Sequence, residues 1–280
     1  MSIRIGCGSW ADPEYVGVLY PKGLPANQRL RCYAEQFERV EVNSTYYATP
    51  ARKVAAGWAE QTPPGFIFDV KLHREFSQSP RKTAQGDLAD RLLDSMQPLI
   101  EAKKLGAFLL TLAPFFDPER HALEELDGAV EKLRPHALAV ELRHRAWVDD
   151  GALAATLAYF RSRGLAWVAL DMPRVKAASL LPPIDEVTHP KLAYVRLHGR
   201  NPHYLEAKTA AERHDYEYQP EDLQEIAARV RKLAARAEDV HVSVNNHAHD
   251  FAPKAALALR RLLEPPAGGT GLRPVKVDSS

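Results

Sequence analysis

The sequence predicts an α/β protein of the (β/α)₈ class, a TIM barrel in a single domain. Three observations carry this reading. Eight short apolar segments recur over roughly 250 residues, with room for a helix between most neighbours. Each segment runs into polar or charged residues at its C-terminal end. The intervening stretches show helical periodicity, and several open with proline at or near the first turn.

In chain order, a strand over Ile3–Trp10 is followed by a helix over Asn27–Arg39, with Leu30, Tyr33, Ala34 and Phe37 on one face. The second strand, Val40–Tyr47, leads past Pro50 to a helix over Ala51–Gln61, which Pro63-Pro64-Gly65 ends. The third strand, Phe66–His73, opens a long connection to Gly86. A helix over Asp87–Lys104 then places Leu88, Leu92, Met96 and Leu99 on one side. Strands over Gly106–Pro114 and Ala137–His144 alternate with helices over Pro118–Leu133 and Asp149–Arg163. After the sixth strand, Ala166–Pro173, the stretch 182–187 has room only for a short helix or turn. The seventh strand, Leu192–Gly199, precedes a second long connection, Gly199–Gln219, which carries His203, Tyr204, His214, Tyr216 and Tyr218. So aromatic a loop is expected to cover substrate. A helix over Pro220–Ala237, the eighth strand Val240–His247 and a helix over Pro253–Leu263 complete the barrel, residues 1–264. Residues 265–280, with Gly268-Gly269 and Ser279-Ser280, read as a disordered tail.

Composition narrows the function. Lys plus Arg number 37 against 36 Asp plus Glu, so no global charge draws the chain to nucleic acid or an anionic membrane. The two cysteines, Cys7 and Cys32, have neither a disulfide nor a metal-ligand pattern. With no signal-like start and no apolar run of about 20 residues, the expectation is a cytoplasmic protein with no membrane partner.

Side chains alternate between the helix-facing and interior faces of a barrel strand. Placing the aliphatic set outward leaves Glu41 and Asn43 inside on strand two, and Asp69, Lys71 and His73 on strand three. The same rule puts Glu141 and Arg143 inside on strand five, Trp167 and Asp171 on strand six, Arg196 and His198 on strand seven, and Ser243 and Asn245 on strand eight. Barrel interiors are ordinarily apolar, so this charge cluster near the C-terminal strand ends reads as a site. Asp69, deepest along its strand, reads as a structural ion. Cys7 faces the helices, which argues against a nucleophile.

These residues lie in segments that resemble the YecE-like proteins, domain-of-unknown-function family 72. The resemblance rests on Ile5-Gly6-Cys7-Gly8-Ser9-Trp10, Val40-Glu41-Val42-Asn43-Ser44-Thr45-Tyr46-Tyr47, Phe68-Asp69-Val70-Lys71 and Val140-Glu141-Leu142-Arg143-His144. It continues in Tyr194-Val195-Arg196-Leu197-His198-Gly199 and Val244-Asn245-Asn246-His247, so it runs from about Ile3 to Leu263. It implies a TIM barrel and no particular reaction. Where the family usually reads Phe-Gln-Leu-Pro-Pro after strand four, this chain has Leu110-Thr111-Leu112-Ala113-Pro114, with a shorter Thr111 in place of the amide.

Two chemistries suit the cluster. Metal-assisted phosphoester cleavage, by fold-level analogy with endonuclease IV, would draw a divalent metal to Glu41, Glu141, Asp171, His73 and His198. Against it, Lys71, Arg143 and Arg196 would repel the metal and pair with its ligands. The favoured reading is metal-free, hydrolase-like catalysis on a small phosphorylated or carboxylated molecule. Here Arg143, Arg196 and Lys71 grip the anion, while Glu41 or Glu141 serves as base and His198 or His73 as acid. Asn43, Asn245, Asn246, Asp171 and Tyr204 complete the substrate-binding set, with Trp10 as either a stacking surface or a core residue. Nucleic acid as partner and a non-catalytic anion sensor are the alternatives. Oligomeric state is not legible.

Overall fold

The computed structural model describes residues 1–149 and 151–264. The tail expected over 265–280 lies outside the described residues. Eight parallel strands pair in the order β1-β8-β7-β6-β5-β4-β3-β2. They are β1 Ser2–Cys7, β2 Arg39–Val42, β3 Ile67–Lys71, β4 Leu105–Thr111, β5 Ala137–Glu141, β6 Ala166–Asp171, β7 Leu192–Leu197 and β8 Asp239–Val244. β1 and β2 lie side by side, so the sheet nearly closes into the expected barrel.

Helices cover the outside. After β1 and β2 come α1, Arg29–Gln36, and α2, Arg52–Gln61. Three helices, α3 Arg74–Gln78, α4 Pro80–Ala84 and α5 Leu88–Glu101, follow β3. Then α6 Asp127–Leu133 and α7 Ala152–Arg163 follow β4 and β5, and α8 Ala210–Arg213, α9 Pro220–Ala234 and α10 Phe251–Leu263 follow β7 and β8. Their apolar faces explain the packing: Leu92, Met96 and Leu99 of α5 are fully covered, as are Ile226, Val230 and Leu233 of α9. No helix among the described residues is long and apolar enough to cross a membrane.

Several expectations are corrected. The connection after β3 is helical, not a loop, whereas the one after β6, given room only for a short helix or turn, contains no helix. The predicted first helix is too long at its end. Arg39 leaves it to open β2, where it pairs across to Ile67.

Strand six has the opposite register from that predicted. Val168 pairs with Tyr194 and Leu170 with Arg196, and both of those partners point into the barrel. Val168 and Leu170 therefore line the interior. Trp167 turns outward to pack edge-on against Phe160 of α7. Asp171 also turns outward, where Arg229 of α9 and Arg200 bind its carboxylate. On this strand two arginines from later elements, rather than the barrel centre, satisfy the buried charge.

Candidate functional site

The barrel interior holds two polar groups, one above the other. In the lower group Arg39 pairs with Asp69, whose carboxylate also contacts His241 Nδ1 at 3.0 Å and accepts the Ala107 N–H at 2.9 Å. Burial pushes the Asp69 carboxyl up, but His241 and Arg39 outweigh it and hold it well below the carboxylate range. Gly106 makes room, since a Cβ there would sit 2.4 Å from Asp69 Oδ1. Asp69 is a structural ion in this geometry. Tyr194 links the groups, accepting from Arg39 Nη2 at 2.9 Å and donating to Glu41 Oε2 at 2.9 Å.

Arg196 organises the upper group. Its Nη2 and Nε meet the two oxygens of Glu41 at 2.7 and 3.1 Å, and its Nη1 bonds Glu141 Oε2. Arg143 Nη1 takes the other Glu141 oxygen at 3.0 Å. Both carboxylates are completely buried. Burial raises the Glu41 carboxyl, yet the Arg196 guanidinium overcomes this and brings it down to about 2. Glu141 follows the same logic, with His198 and Arg143 adding to Arg196, and lies well below its ordinary range.

Above this floor, at the C-terminal strand ends, lies a cleft of about 540 Å³, a size that suits a small molecule. Asn43, Tyr46, Tyr47, Lys71, Thr111, Arg143, Arg196, His198, Arg213, His214, Asn245 and His247 contribute to its wall. A groove of similar size at the opposite end of the strands carries charges of both signs, Arg4 and Arg260 with Glu35 and Glu38, whereas the charged residues of the cleft wall are all cationic. Lys71 stands out in the cleft. Its Nζ lies 4.5 Å from the centre of the Tyr46 ring, and no carboxylate or acceptor among the described residues pairs with it. Burial, reinforced by Arg196 and Arg143 and opposed by Glu141 and Glu41, lowers its pKa to about 8. His198 is neutral, because burial outweighs Glu141 and takes it down to about 3. Burial and His214 bring His247 to about 4.

Five residues of the cleft wall each carry a buried polar atom with no protein partner: Asn43 Oδ1, Ser77 Oγ, Thr111 Oγ1, Arg143 Nε and His198 Nδ1. Buried polar groups are nearly always satisfied, so five unpartnered atoms on one wall set this region apart. Asn43 and Asn245 meet where the backbone of Gly8 passes. A Cβ on Gly8 would lie 2.1 Å from Asn245 Oδ1 and 2.7 Å from Asn43 Nδ2.

The connection after β7 folds over the cleft. Tyr204 Oη accepts from Arg143 Nη2 at 2.9 Å, and His214 Nδ1 contacts the His198 carbonyl at 2.9 Å. Tyr218 Oη accepts the Gly199 N–H and donates to Asp171, each at 2.9 Å. Through α8 this cover also brings Ala210 and Arg213 to the cleft wall.

The predicted set therefore divides. Lys71, Arg143, Arg196, His198, Asn43 and Asn245 meet at the cleft, with Tyr204 behind Arg143. Glu41 and Glu141 lie beneath its floor and are fully engaged by arginine. Four residues fall elsewhere. His73 caps α3, accepting the Glu75 N–H, and its Nε2 contacts the Tyr47 carbonyl at 3.2 Å. Asp171 faces α9. Trp10, half-buried, packs edge-on against Trp58 and Phe68 at the margin of the core and is not part of the cleft wall. Asn246 donates to the Tyr216 carbonyl at 2.7 Å and anchors the cover rather than a substrate. Among the described residues no group of three or more His, Cys, Asp or Glu side chains is placed to hold a metal ion. Sequence reasoning passed over Arg213, named His214 only as part of the connection expected to cover substrate, and gave His247 no role in the site. For the first two only the aromatic richness of their connection gave a signal.

Residues 4–277 match the family described as "Protein of unknown function DUF72". A UPF0759 protein of Bacillus subtilis, YunF, is 24% identical over 285 residues, covering 99% of each chain. The UPF0759 protein YecE of Escherichia coli K12 is 32% identical over 182 residues, 63% of this chain and 61% of its own. Among solved structures, a DUF72 family protein of Thermotoga maritima superposes with a TM-score of 0.84 at 30% identity, over 95% of this chain and 100% of that one. A DUF72 protein of Enterococcus faecalis gives 0.83 at 26% identity, over 99% and 100%.

Proposed function

The chain belongs to the DUF72 family, and from that premise we propose that its cleft is the active site of an enzyme acting on a small phosphorylated or carboxylated molecule. The observation that carries this reading is the excess of cations. Lys71, Arg143 and Arg213 face the cleft, while Glu41 and Glu141 lie below it and are taken up by Arg196. A bare lysine and a half-engaged arginine offer an anion the point charge and the planar donors it needs. Arg196 supports the floor instead of gripping substrate, because its Nε, Nη1 and Nη2 already bind carboxylates.

Proton transfer falls to Lys71. Glu41, at about 2, holds no proton to donate near neutrality and is a weak base. His198, at about 3, also carries no spare proton near neutrality. The hydrolytic route with Glu41 as base and His198 as acid is thus poorly served on both sides, whereas a lysine near 8 exchanges protons in the working range. Asn43 and Asn245 supply amides for polar substrate atoms.

Calorimetric titration with inorganic phosphate, acetate and a short oligonucleotide tests this reading. Binding of a small anion that Arg143→Ala weakens at least about tenfold supports it. Binding of the oligonucleotide alone, with steep salt dependence, would replace the reading with nucleic-acid recognition.

A further inference from the structure

The amine of Lys71 has a setting that a purely electrostatic role does not require. An anion-gripping lysine is usually held by a neighbouring carboxylate or carbonyl. Lys71 Nζ has neither among the described residues and lies against the Tyr46 ring. The carboxylates that would otherwise neutralise it, Glu41 and Glu141, are bound to Arg196 and Arg143 one layer below. The cations around it and its burial favour the uncharged amine. With a pKa of about 8, roughly one molecule in ten carries a free amine at pH 7, against about one in three thousand for an ordinary lysine. Desolvation beside other cations is a recognised way to make a lysine nucleophilic.

Resting on the anion-binding reading of the same cleft, we propose that Lys71 forms a covalent imine with a carbonyl-bearing anion, a small oxo-acid or phosphorylated aldehyde or ketone. In the step, the Lys71 nitrogen lone pair attacks the carbonyl carbon, and the carbonyl oxygen takes up a proton to give a carbinolamine. That hydroxyl then leaves as water while the C=N bond forms, so amine and carbonyl yield imine and one water with no change in oxidation state. Arg143 binds the anionic end of the substrate. On the same wall Asn245, whose Nδ2 gives only one N–H to the protein, at 3.3 Å to the Ser243 carbonyl, can donate to the carbonyl oxygen as charge builds on it. Both N–H groups of Asn43 are held by the Gly8 carbonyl and Glu41. The imine draws electrons from the adjacent carbon, which places the reaction class at bonds next to the carbonyl rather than at a phosphoester.

The test is reductive trapping. Full-length protein is incubated with glyoxylate or pyruvate and borohydride, and labelled lysines are mapped by mass spectrometry, with calorimetry of the same ligands alongside. The expected result is a stable adduct at Lys71, at least about tenfold above any other lysine, and no adduct at residue 71 in a folded Lys71→Arg variant. Ligand binding with no preferential label at Lys71 would overturn the imine while leaving the anion site standing. Absence of both binding and label would overturn the two together. Because the label is read in the unaltered protein, the result does not depend on the variant folding.

Discussion

Replacing Arg196 by alanine removes the cation that Glu41 and Glu141 share. Both carboxylates are fully buried, so the variant must carry two desolvated acids with one guanidinium, Arg143, against the second of them. Breaking a buried pair in this way costs about 3–5 kcal/mol. A second route gives the same scale. The Glu41 carboxyl falls from 4.5 to about 2, which at about 1.4 kcal/mol per unit is roughly 3 kcal/mol. A carboxyl depressed in the folded state contributes stability that is complete above pH 4.5 and disappears as pH falls toward about 2. The gap between the wild-type protein and Arg196→Ala is therefore widest near neutrality and narrows below pH 4.5. Urea unfolding followed by circular dichroism, at pH 7 and again toward pH 3, measures both quantities. Adding Glu41→Gln to the variant should recover part of the loss, because a neutral amide is cheaper to bury than an unpaired carboxylate. A loss under about 1 kcal/mol at pH 7, or a gap that does not change with pH, would refute the reasoning. The same outcome would return Arg196 to the anion-gripping role its sequence context suggests.

Other consequences are equally direct. Small-anion affinity should fall as pH rises through about 8, when Lys71 loses its proton, and Lys71→Met should flatten that dependence in calorimetry. Gly8→Ala should keep the barrel folded yet displace the Asn43 and Asn245 amides, since its Cβ would overlap both; thermal melts and anion titration separate the two effects. Tyr218→Phe removes the hydroxyl that ties Gly199 to Asp171, at a cost of about 1–2 kcal/mol. Hydrogen exchange across residues 199–219 should then speed up relative to the barrel strands, and unchanged exchange would mean that other contacts hold the cover.

The sequence and the structure agree best where strand alternation was clear. In Val40-Glu41-Val42 and Tyr194-Val195-Arg196-Leu197, aliphatic and polar residues alternate cleanly, and the polar ones do point inward. β6 offered no such contrast. Ala166-Trp167-Val168-Ala169-Leu170 is apolar on both faces, and the polar Asp171 was assigned inward by default. Its true partners, Arg200 and Arg229, are 29 and 58 residues away, beyond any local pattern. His73 was misjudged because β3 ends at Lys71, two residues before it, and the ring instead caps α3, which begins at Arg74. Arg39 was hidden for the opposite reason: helical periodicity carried it into the preceding helix, although it belongs to the strand and is fully buried. The engagement of Glu41 and Glu141 by Arg196 was also illegible, since residue types show that charges converge but not which of them neutralise each other. Arg213 and His214 reach the cleft only through the tertiary folding of the cover over it.

The most direct test of the central claim, that the free cations of this cleft hold a small anion, is a crystal structure after soaking with selenate. Anomalous scattering would locate the ion without assumptions about substrate. A peak within hydrogen-bonding reach of Lys71 Nζ and Arg143 Nε is the predicted result. Selenate found on surface lysines and arginines, with none between those two side chains, would contradict the account.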